Sequence, residues 1–446
     1  MTQPTPSLEA MVALVRGGRI DAFLAQATEL DPADLADVLA LLDEDERLEI
    51  VRLLPTEVSA GALVEMPEDA HAEDTLAELD PAHAADILEE LEDDDAADLL
   101  GELDPEEQER ILADVEDRED LDRLLRYDPE SAGGLMTSQL VSVLLTDTVG
   151  AALDSVRRQS EETDDFHQVF VVDPTGRLVG TLSFKALVVS PAERPVPEVM
   201  EEADLSVPPE LDQEQVARLM ARYNVPSIPV VDIEGKLLGR VTFDDVIDVV
   251  EAETTEDLLR FGGVSADEDL AAPWRTAVPS RLTWLFVNLL TAFLAASVVV
   301  FFQDTIARTV ALAAWMPVIA GMGGNAGTQA LAVTVRRLAL GQIQPRQSAG
   351  IIGKELAIGL VNGLVIGLTI AVVATATGQG SRLGLVVFLA MAGNLVVAGF
   401  AGAFIPLALQ RLRIDPAIAS SVFVTTFTDM CGFALLLVLA GSMLLR

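Results

Sequence analysis

The chain has 446 residues and a formal net charge of −42, which is distributed unevenly. Residues 1–130 carry a net charge of −32, residues 131–272 carry −17, and residues 273–446 carry +7. An acidic half of this size repels nucleic acid and attracts cations, so a nucleic-acid partner is excluded.

A repeat with a period of 24 to 25 residues runs through residues 30–105. Its markers are the tripeptides Leu30–Pro32, Leu53–Pro55, Leu79–Pro81 and Leu103–Pro105. Proline is favoured in the first turn of a helix, and fixed periods of this length indicate stacked helices. The repeat predicts an α-helical superhelix, which forms an acidic N domain over residues 1–130.

Two similar units occupy residues 131–250. The β-rich runs Gln168–Asp173 and Ser227–Asp232 are each followed by a turn, a second short strand and a helix. Strands that alternate with helices in this order predict an α/β pair of domains.

The segment over residues 251–275 connects the acidic half to the apolar half. Thr254–Phe261 has a helical pattern, and two glycines follow it as a helix stop. An ordinary linker helix has the same pattern, but the position between the two halves favours a coupling role.

Five apolar segments predict an all-α, five-helix transmembrane domain over residues 276–446. They cover residues 282–303, 309–335, 350–376, 383–410 and 416–445. Each is long enough for the ~20 residues that cross a bilayer. Lysine and arginine are concentrated before the first segment and between segments two and three and segments four and five. The positive-inside rule therefore predicts a cytoplasmic N-terminus and a C-terminus outside, in a multi-pass protein of the inner membrane.

Asp429 lies near the middle of the fifth segment. A carboxylate at that depth costs about 2.5–3.5 kcal/mol on insertion, and such residues mark ion paths. Thr425 and Thr426 precede it by four and three residues and share its helix face. A protonated aspartate without an ion is the alternative, and we favour a pore ligand.

The motif Pro317–Gln329 places one proline and four glycines in the second segment. These residues weaken a helix and free carbonyl groups that could line a cavity with Gly324, Asn325 and Gln329. Close helix packing through small residues is the competing explanation. Asn325 and Gln329, four residues apart, favour a polar path.

These donors are oxygen atoms, which suit a hard cation such as Mg²⁺. The membrane half has no histidine and one cysteine, which argues against a zinc, copper or iron site. A transporter of another divalent cation such as Co²⁺ stays open, as does a membrane-anchored nucleotide sensor. No nucleophile–base pair or phosphate-binding GxxxxGK motif indicates an enzyme.

The paired α/β units resemble cystathionine-β-synthase (CBS) domains, and the whole chain resembles the MgtE family of magnesium transporters. The motifs that carry the resemblance are Ala132–Thr137, Val241–Asp257, Pro317–Gln329 and Thr426–Phe433. The family implies a homodimer in the lipid bilayer with a shared pore. It also implies regulatory Mg²⁺ that joins the N and CBS domains and closes the pore, and CBS domains imply a candidate ATP site.

The resemblance assigns metal-binding roles by position. The matching residues are Asp94, Asp98, Asp212, Glu214, Asp245, Asp248, Glu253, Glu256, Asp257, Asp415 and Asp429. Asn224 departs from the family pattern, which can have an acid there. Helical spacing independently places Asp94 with Asp98, and Asp245 with Asp248, on shared faces, although a solvated acidic face has the same spacing.

Overall fold

The computed structural model describes residues 7–445 except 68–69, 117, 161–162, 164–165, 266–273, 344–347, 415 and 417–419. The chain divides into two compact units, Met1–Ala252 and Glu253–Arg446.

The first unit begins with short helices. They are α1 (Leu8–Arg16), α2 (Ile20–Ala27), α3 (Pro32–Ala40), α4 (Glu44–Val51), α5 (Thr56–Val64), α6 (Ala72–Ala77), α7 (Pro81–Leu88), α8 (Asp93–Gly101), α9 (Pro105–Leu112) and α10 (Arg118–Leu124). Proline is the first residue of α3, α7 and α9, as the repeat predicts. The Asp31 side chain caps α3 by accepting a hydrogen bond from the Ala33 N–H at 3.2 Å.

Strands and helices then alternate. The elements are β1 (Ser142–Leu144), α11 (Val149–Gln159), β2 (Val169–Val172), β3 (Leu178–Leu182), α12 (Phe184–Val189), β4 (Glu201–Glu202), α13 (Gln213–Tyr223), β5 (Ser227–Val231), β6 (Leu237–Thr242) and α14 (Phe243–Gly262). The pairs β2–β3 and β5–β6 are antiparallel, and β1 lies parallel to β2. Both predicted hairpins are present, each followed by a helix.

The helical region and the second hairpin share one hydrophobic core. Leu100 and Ile111 from the helices are fully buried in the same cluster as Ile228, Val230 and Val241 from the hairpin. The first hairpin packs instead on a separate cluster with α11. The shared core places the start of α8 beside the start of α14.

Helix α14 ends at Gly262, and Gly263 follows with φ +75°. The Val264 N–H donates to the Leu259 carbonyl at 3.0 Å, which closes the last turn. A left-handed residue at this place is the usual glycine stop, so the predicted helix end is confirmed.

The second unit is helical. Its long helices are α15 (Trp274–Phe301), α17 (Leu312–Ala339), α18 (Ser348–Ala374), α19 (Ser381–Arg411) and α20 (Ser420–Met443), with the short α16 (Gln303–Arg308). The helices extend beyond several predicted segments because polar residues continue them past their apolar parts. The multidomain fold class predicted from the sequence is confirmed.

Among the described residues, four helices are long and apolar enough to cross a membrane: Ala277–Phe301, Ser348–Gln379, Ser381–Arg411 and Ser421–Met443. Helix α17 has a comparable length but is not one of the four. Its glycines, Asn325 and Gln329 make it less apolar than its neighbours. That α17 crosses the membrane therefore stays a prediction.

Helix α17 continues without interruption through Pro317 and its glycines. The motif weakens the helix by the one hydrogen bond that Pro317 cannot donate, but it does not interrupt the helix. The glycines instead allow close helix contact, since a Cβ on Gly327 would lie 2.5 Å from a Val424 methyl group on α20. A Cβ on Gly402 of α19 would lie 2.5 Å from the Gly327 carbonyl oxygen. Small-residue packing thus accounts for Gly327, whereas a Cβ on Gly321 would meet open space.

Candidate metal sites

The first candidate site is an acidic cluster between α8 and α14. We define the α8–α14 cluster as Glu92, Asp94, Asp95, Asp98, Asp244 and Asp245. Three acids in the first turn of α8 are favoured by the partial positive charge of a helix N-terminus. Asp244 and Asp245 stand in the first turn of α14. The N-terminal turns of α8 and α14 thus bring carboxylates of like charge close together.

Direct bonds hold the start of α8 in this position. Asp93 accepts hydrogen bonds from the Thr137 hydroxyl at 2.6 Å and the Ser138 N–H at 2.9 Å. The Ser138 hydroxyl donates to the second carboxylate oxygen of Asp93. Arg240 is 2% exposed, and its guanidinium lies 3.6 Å from the Glu92 carboxylate. These contacts require no metal ion and fix the geometry of the cluster.

The carboxyl groups of the cluster are crowded and poorly solvated. Burial, and secondly the charge of Asp245, raises the pKa of both Asp95 and Asp98 to about 7. Burial raises the pKa of Glu92 to about 7 although Arg240 opposes the rise. Burial also raises the pKa of Asp94 well above its usual range, and that of Asp245. Removal from water and like charges both disfavour the ionised forms.

Asp94 is the clearest candidate ligand of the cluster. Its side chain is 6% exposed, and its Oδ1 atom has no hydrogen-bond partner among the described residues. A buried carboxylate oxygen without a partner is costly unless an ion or a proton satisfies it. Mg²⁺ binds to one or two carboxylates and keeps several waters, so the arrangement fits this ion.

The other predicted metal ligands of the first unit, which are Asp212, Glu214 and Asp248, are not members of the α8–α14 cluster. Asp212 caps α13 by accepting a hydrogen bond from the Gln215 N–H at 3.2 Å, and Glu214 forms an ion pair with Arg218. Burial, followed by Glu251 and Asp244, raises the pKa of the exposed Asp248.

Asn224 has a structural role at the departure from the family pattern. It ends α13 in the left-handed conformation, with φ 53°, and its N–H donates to the Met220 carbonyl. Asparagine is one of the few residues that adopt this conformation easily.

The second unit contains the remaining predicted acids of α14. Glu256 forms an ion pair with Arg260. Glu253 and Asp257 also interact with other residues. Asp415 lies outside the described residues. Phe261 packs against the buried cluster of Leu331, Val335, Ala401 and Val424.

Asp429 lies half-buried on α20, close to three threonines. Thr425 Oγ1 donates to the Ser421 carbonyl at 2.8 Å, and Thr426 Oγ1 donates to the Val422 carbonyl at 2.7 Å. The hydroxyl protons are thus directed at the backbone, which leaves oxygen lone pairs free to accept. The Thr425–Asp429 face can therefore present oxygen ligands.

The predicted pore-lining residues of α17 do not lie together. Gly324 packs on α20, because a Cβ there would lie 3.4 Å from a Thr425 methyl group. Asn325 is exposed. Gln329 lines a separate cavity of about 220 Å³ with Lys354, Glu355 and Asn362.

A third group of possible ligands lies on the surface near α6. The ligand atoms of His71, Glu73 and Asp74 are within 4.8 Å of one another. His71 Nδ1 is already 2.9 Å from Glu73 Oε1, so two of the candidates contact each other. No motif in the sequence pointed to these three residues.

Sequence reasoning missed several acids that the fold brings to these sites. Glu92, Asp95 and Asp244 adjoin predicted residues, so the acidic runs themselves were the available signal. Glu355 was overlooked because the span was selected for its apolar residues, although an acid beside an apolar run could have been noticed.

Family models match most of the chain. The MgtE intracellular N domain matches residues 30–130, and the CBS domain matches residues 132–192 and 196–252. The MgtE divalent cation transporter model matches residues 316–439.

Curated relatives extend this similarity. The magnesium transporter MgtE of Enterococcus faecalis is 36% identical over 311 residues, which are 70% of this chain and 68% of that protein. The magnesium transporter MgtE of Thermus thermophilus is 36% identical over 329 residues, or 73% and 72% of the two chains.

Two solved structures resemble the first part of the chain. The cytosolic domain of the Mg²⁺ channel MgtE in complex with ATP is 35% identical, with a TM-score of 0.51. The match covers 55% of this chain and 100% of the solved cytosolic domain. The soluble part of a magnesium transporter is 30% identical with a TM-score of 0.50, and covers 55% and 99% of the two chains.

Proposed function

Because the chain belongs to the MgtE family of divalent cation transporters, we propose that it carries Mg²⁺ across the membrane and that bound Mg²⁺ closes it. The resemblance identified from the sequence motifs is confirmed. The family and the apolar helices make the chain a multi-pass membrane protein.

The observation that carries the gating proposal is the Asp94 carboxylate. It is buried, has an oxygen without a described partner, and faces like charges from α14. A cation between α8 and α14 would remove both penalties. Mg²⁺ bound there would hold the N domain more tightly against the second CBS unit, and its loss would weaken this contact.

The electrostatic energies are large enough for a gate. Two carboxylates about 6 Å apart repel by about 3 kcal/mol at an effective dielectric constant of about 20. A shift from 1:99 to 99:1 between two states requires about 5.5 kcal/mol of differential binding. Two such pairs, bridged by Mg²⁺ in the closed state and repelling without it, would supply this energy.

Helix α14 would carry the signal to the pore. It runs without a break from Asp245, in the cluster, to Gly262. Glu253, Glu256 and Asp257 lie along it and add acids that Mg²⁺ could bridge. Asp248, Asp212, Glu214 and Asp415 keep the metal-binding roles that the family resemblance assigns to them.

Asp429 would bind the transported ion in the pore. Its neighbours Thr425 and Thr426 supply oxygens, and Gly324 allows α17 to approach Thr425 closely. Asn325 would complete the polar path. This donor set suits a hydrated Mg²⁺ held by few direct ligands.

Flux through purified protein tests the pore. Liposomes with wild-type protein should take up Mg²⁺, and Asp429→Asn should reduce uptake at least tenfold. Asp304→Asn removes an acid of the short α16 and serves as the matched control, with uptake close to wild type. Equal uptake in Asp429→Asn and wild type would refute the pore assignment.

Competition for flux separates Mg²⁺ from other divalent cations such as Co²⁺. We expect Co²⁺ to inhibit Mg²⁺ uptake only in large excess, and stronger transport of Co²⁺ than of Mg²⁺ would favour the alternative. A protein that binds nucleotide and carries no ion would instead be a membrane-anchored sensor.

ATP at the CBS units is a further proposal. It is supported by the related cytosolic domain solved in complex with ATP. Equilibrium binding of ATP to the full-length protein, with and without Mg²⁺, tests it. Absence of binding in both conditions would remove the proposal.

The remaining organisation is also proposed. We expect a homodimer of the inner membrane with its N-terminus in the cytoplasm and its C-terminus outside. The proposed boundaries are an N domain over 1–130, CBS domains over 131–250, a connecting helix over 251–275 and a transmembrane domain over 276–446. Chemical cross-linking and protease protection in oriented vesicles test these points.

A further inference from the structure

A cavity of about 220 Å³ lies within the second unit, between α17, α18 and α19. Gln329 from α17 and Lys354, Glu355 and Asn362 from α18 supply its polar side chains. One water occupies about 30 Å³ in the liquid, so the cavity can hold an ion with several waters. The rest of its lining is apolar, and Gln329, Lys354 and Asn362 are exposed, so Glu355 is the one buried polar residue among the described residues that line it.

Glu355 is the residue that needs explanation. Its side chain is 7% exposed, yet among the described residues no hydrogen bond or ion pair involving its carboxylate is found. A carboxylate inside a membrane helix is costly unless it is paired or faces a polar cavity. Glu355 lines the cavity, so an occupant of the cavity is its available partner.

The local packing positions this carboxylate. Glu355, Gly359 and Asn362 follow one another at helical spacing on one face of α18. A Cβ on Gly399 of α19 would collide with the Glu355 carbonyl oxygen, so the two helices touch directly there. Close backbone contact makes this side of the cavity rigid.

The cavity lies at a different place from Asp429. Glu355 stands seven residues after Ser348, or about 10 Å along α18 from its start. Gln329 lies on α17 within the half that ends at Ala339. Asp429 lies on α20, which does not line the cavity. An ion in the cavity would thus occupy a second position in the membrane unit.

We propose that Glu355, Gln329 and Asn362 form a second divalent-cation site, which holds a partly hydrated ion between the pore and the end of the bundle where α18 begins. One carboxylate and two amide oxygens are hard ligands, and the remaining positions are filled by water. The proposal rests on the proposed function in one respect, namely that the ion in this site is the ion that the protein transports.

Lys354 sets the strength of this site. Its side chain lines the same cavity and brings a positive charge near the Glu355 carboxylate. The ammonium group competes with a bound cation and keeps binding weak. A site on a transport path must release its ion as readily as it takes it up, so a weak site is suitable.

Bound Mn²⁺ in the full-length protein provides the test, since Mn²⁺ takes oxygen ligands as Mg²⁺ does. We expect an anomalous diffraction peak in the cavity of wild type, and its loss in Glu355→Gln with the Asp429 peak retained. Mg²⁺ flux at limiting Mg²⁺ should fall about tenfold in Glu355→Gln and stay near wild type in Asp304→Asn. A wild-type peak at Asp429 without one in the cavity would overturn the proposal, whereas absence of both would count against the proposed function as well.

Lys354→Gln provides a second variant, which does not depend on Glu355→Gln folding. We expect Mn²⁺ occupancy of the cavity to rise and the Mg²⁺ concentration for half-maximal flux to fall several-fold. If Lys354 and Glu355 form only a structural ion pair, Lys354→Gln lowers thermal stability and leaves occupancy unchanged, and the proposal fails.

Discussion

Replacing Asp95 with asparagine should stabilise the Mg²⁺-free protein above pH 7. The pKa of Asp95 rises from 3.8 to about 7, so its ionised form is disfavoured in the folded state. A rise of about 3 units at about 1.36 kcal/mol each sets a ceiling of about 4 kcal/mol. Since neighbouring acids share the repulsion, we expect a gain of about 1–4 kcal/mol.

The sign of the pH dependence follows from the raised pKa. Above about pH 7 Asp95 is ionised in both states, and the folded state bears the full penalty. As the pH falls from 7 towards 4, the folded state takes up the proton first and the penalty disappears. The advantage of Asp95→Asn should therefore shrink to under about 2 kcal/mol at pH 5.

Hydrogen exchange of the α8 amides in the full-length, detergent-solubilised protein measures this effect. Exchange with EDTA at pH 8 and pH 5, corrected for intrinsic rates, gives the opening free energy. Asp37→Asn removes an exposed acid from α3 and should change the value by less than about 0.5 kcal/mol. A destabilising effect of Asp95→Asn at pH 8, or an equal gain at pH 5, would refute the reasoning.

Three further predictions concern the α8–α14 cluster and the packing of α19 on α17. Asp93→Ala should destabilise the first unit by about 2 kcal/mol, because the hydrogen bonds to Thr137 and Ser138 are lost. Hydrogen exchange of the α8 amides measures this loss, and a gain in stability like that of Asp95→Asn would contradict the prediction. Inhibition of flux by Mg²⁺ on the side of the first unit should require roughly tenfold more Mg²⁺ at pH 6 than at pH 8, because protons occupy carboxyl groups whose pKa is about 7. Gly402→Ala should lower stability by about 1–3 kcal/mol in thermal unfolding, because its Cβ would lie 2.5 Å from the Gly327 carbonyl oxygen; Gly350→Ala, with open space around it, is the control.

Local patterns predicted the elements of this fold well. Proline at the first turn located α3, α7 and α9, and paired β-rich runs located both hairpins. These signals depend on a few neighbouring residues, so they can be recognised in a single sequence. Helix ends were less accurate, because polar residues continue a membrane helix beyond its apolar segment.

Such local patterns could not predict contacts between residues that are distant in the sequence. Nothing local indicates that Asp95 would come under the charge of Asp245, or that Asp93 would bind Ser138. Pro317 and its neighbouring glycines predict a weakened helix, whereas α17 is continuous and its Gly327 contacts α19 and α20. Gln329 similarly shares a face with Asn325 in sequence, and only the packing of α18 places it beside Glu355.

The most direct measurement is the Mg²⁺ concentration, on the side of the first unit, that halves Mg²⁺ uptake into oriented liposomes. Wild type should be compared with the double variant Asp94→Asn, Asp245→Asn, using Asp37→Asn as the control. Loss of the bridging carboxylates should raise this concentration at least tenfold. The same half-inhibiting concentration in the double variant and in wild type would contradict a gate closed by Mg²⁺ at the α8–α14 cluster.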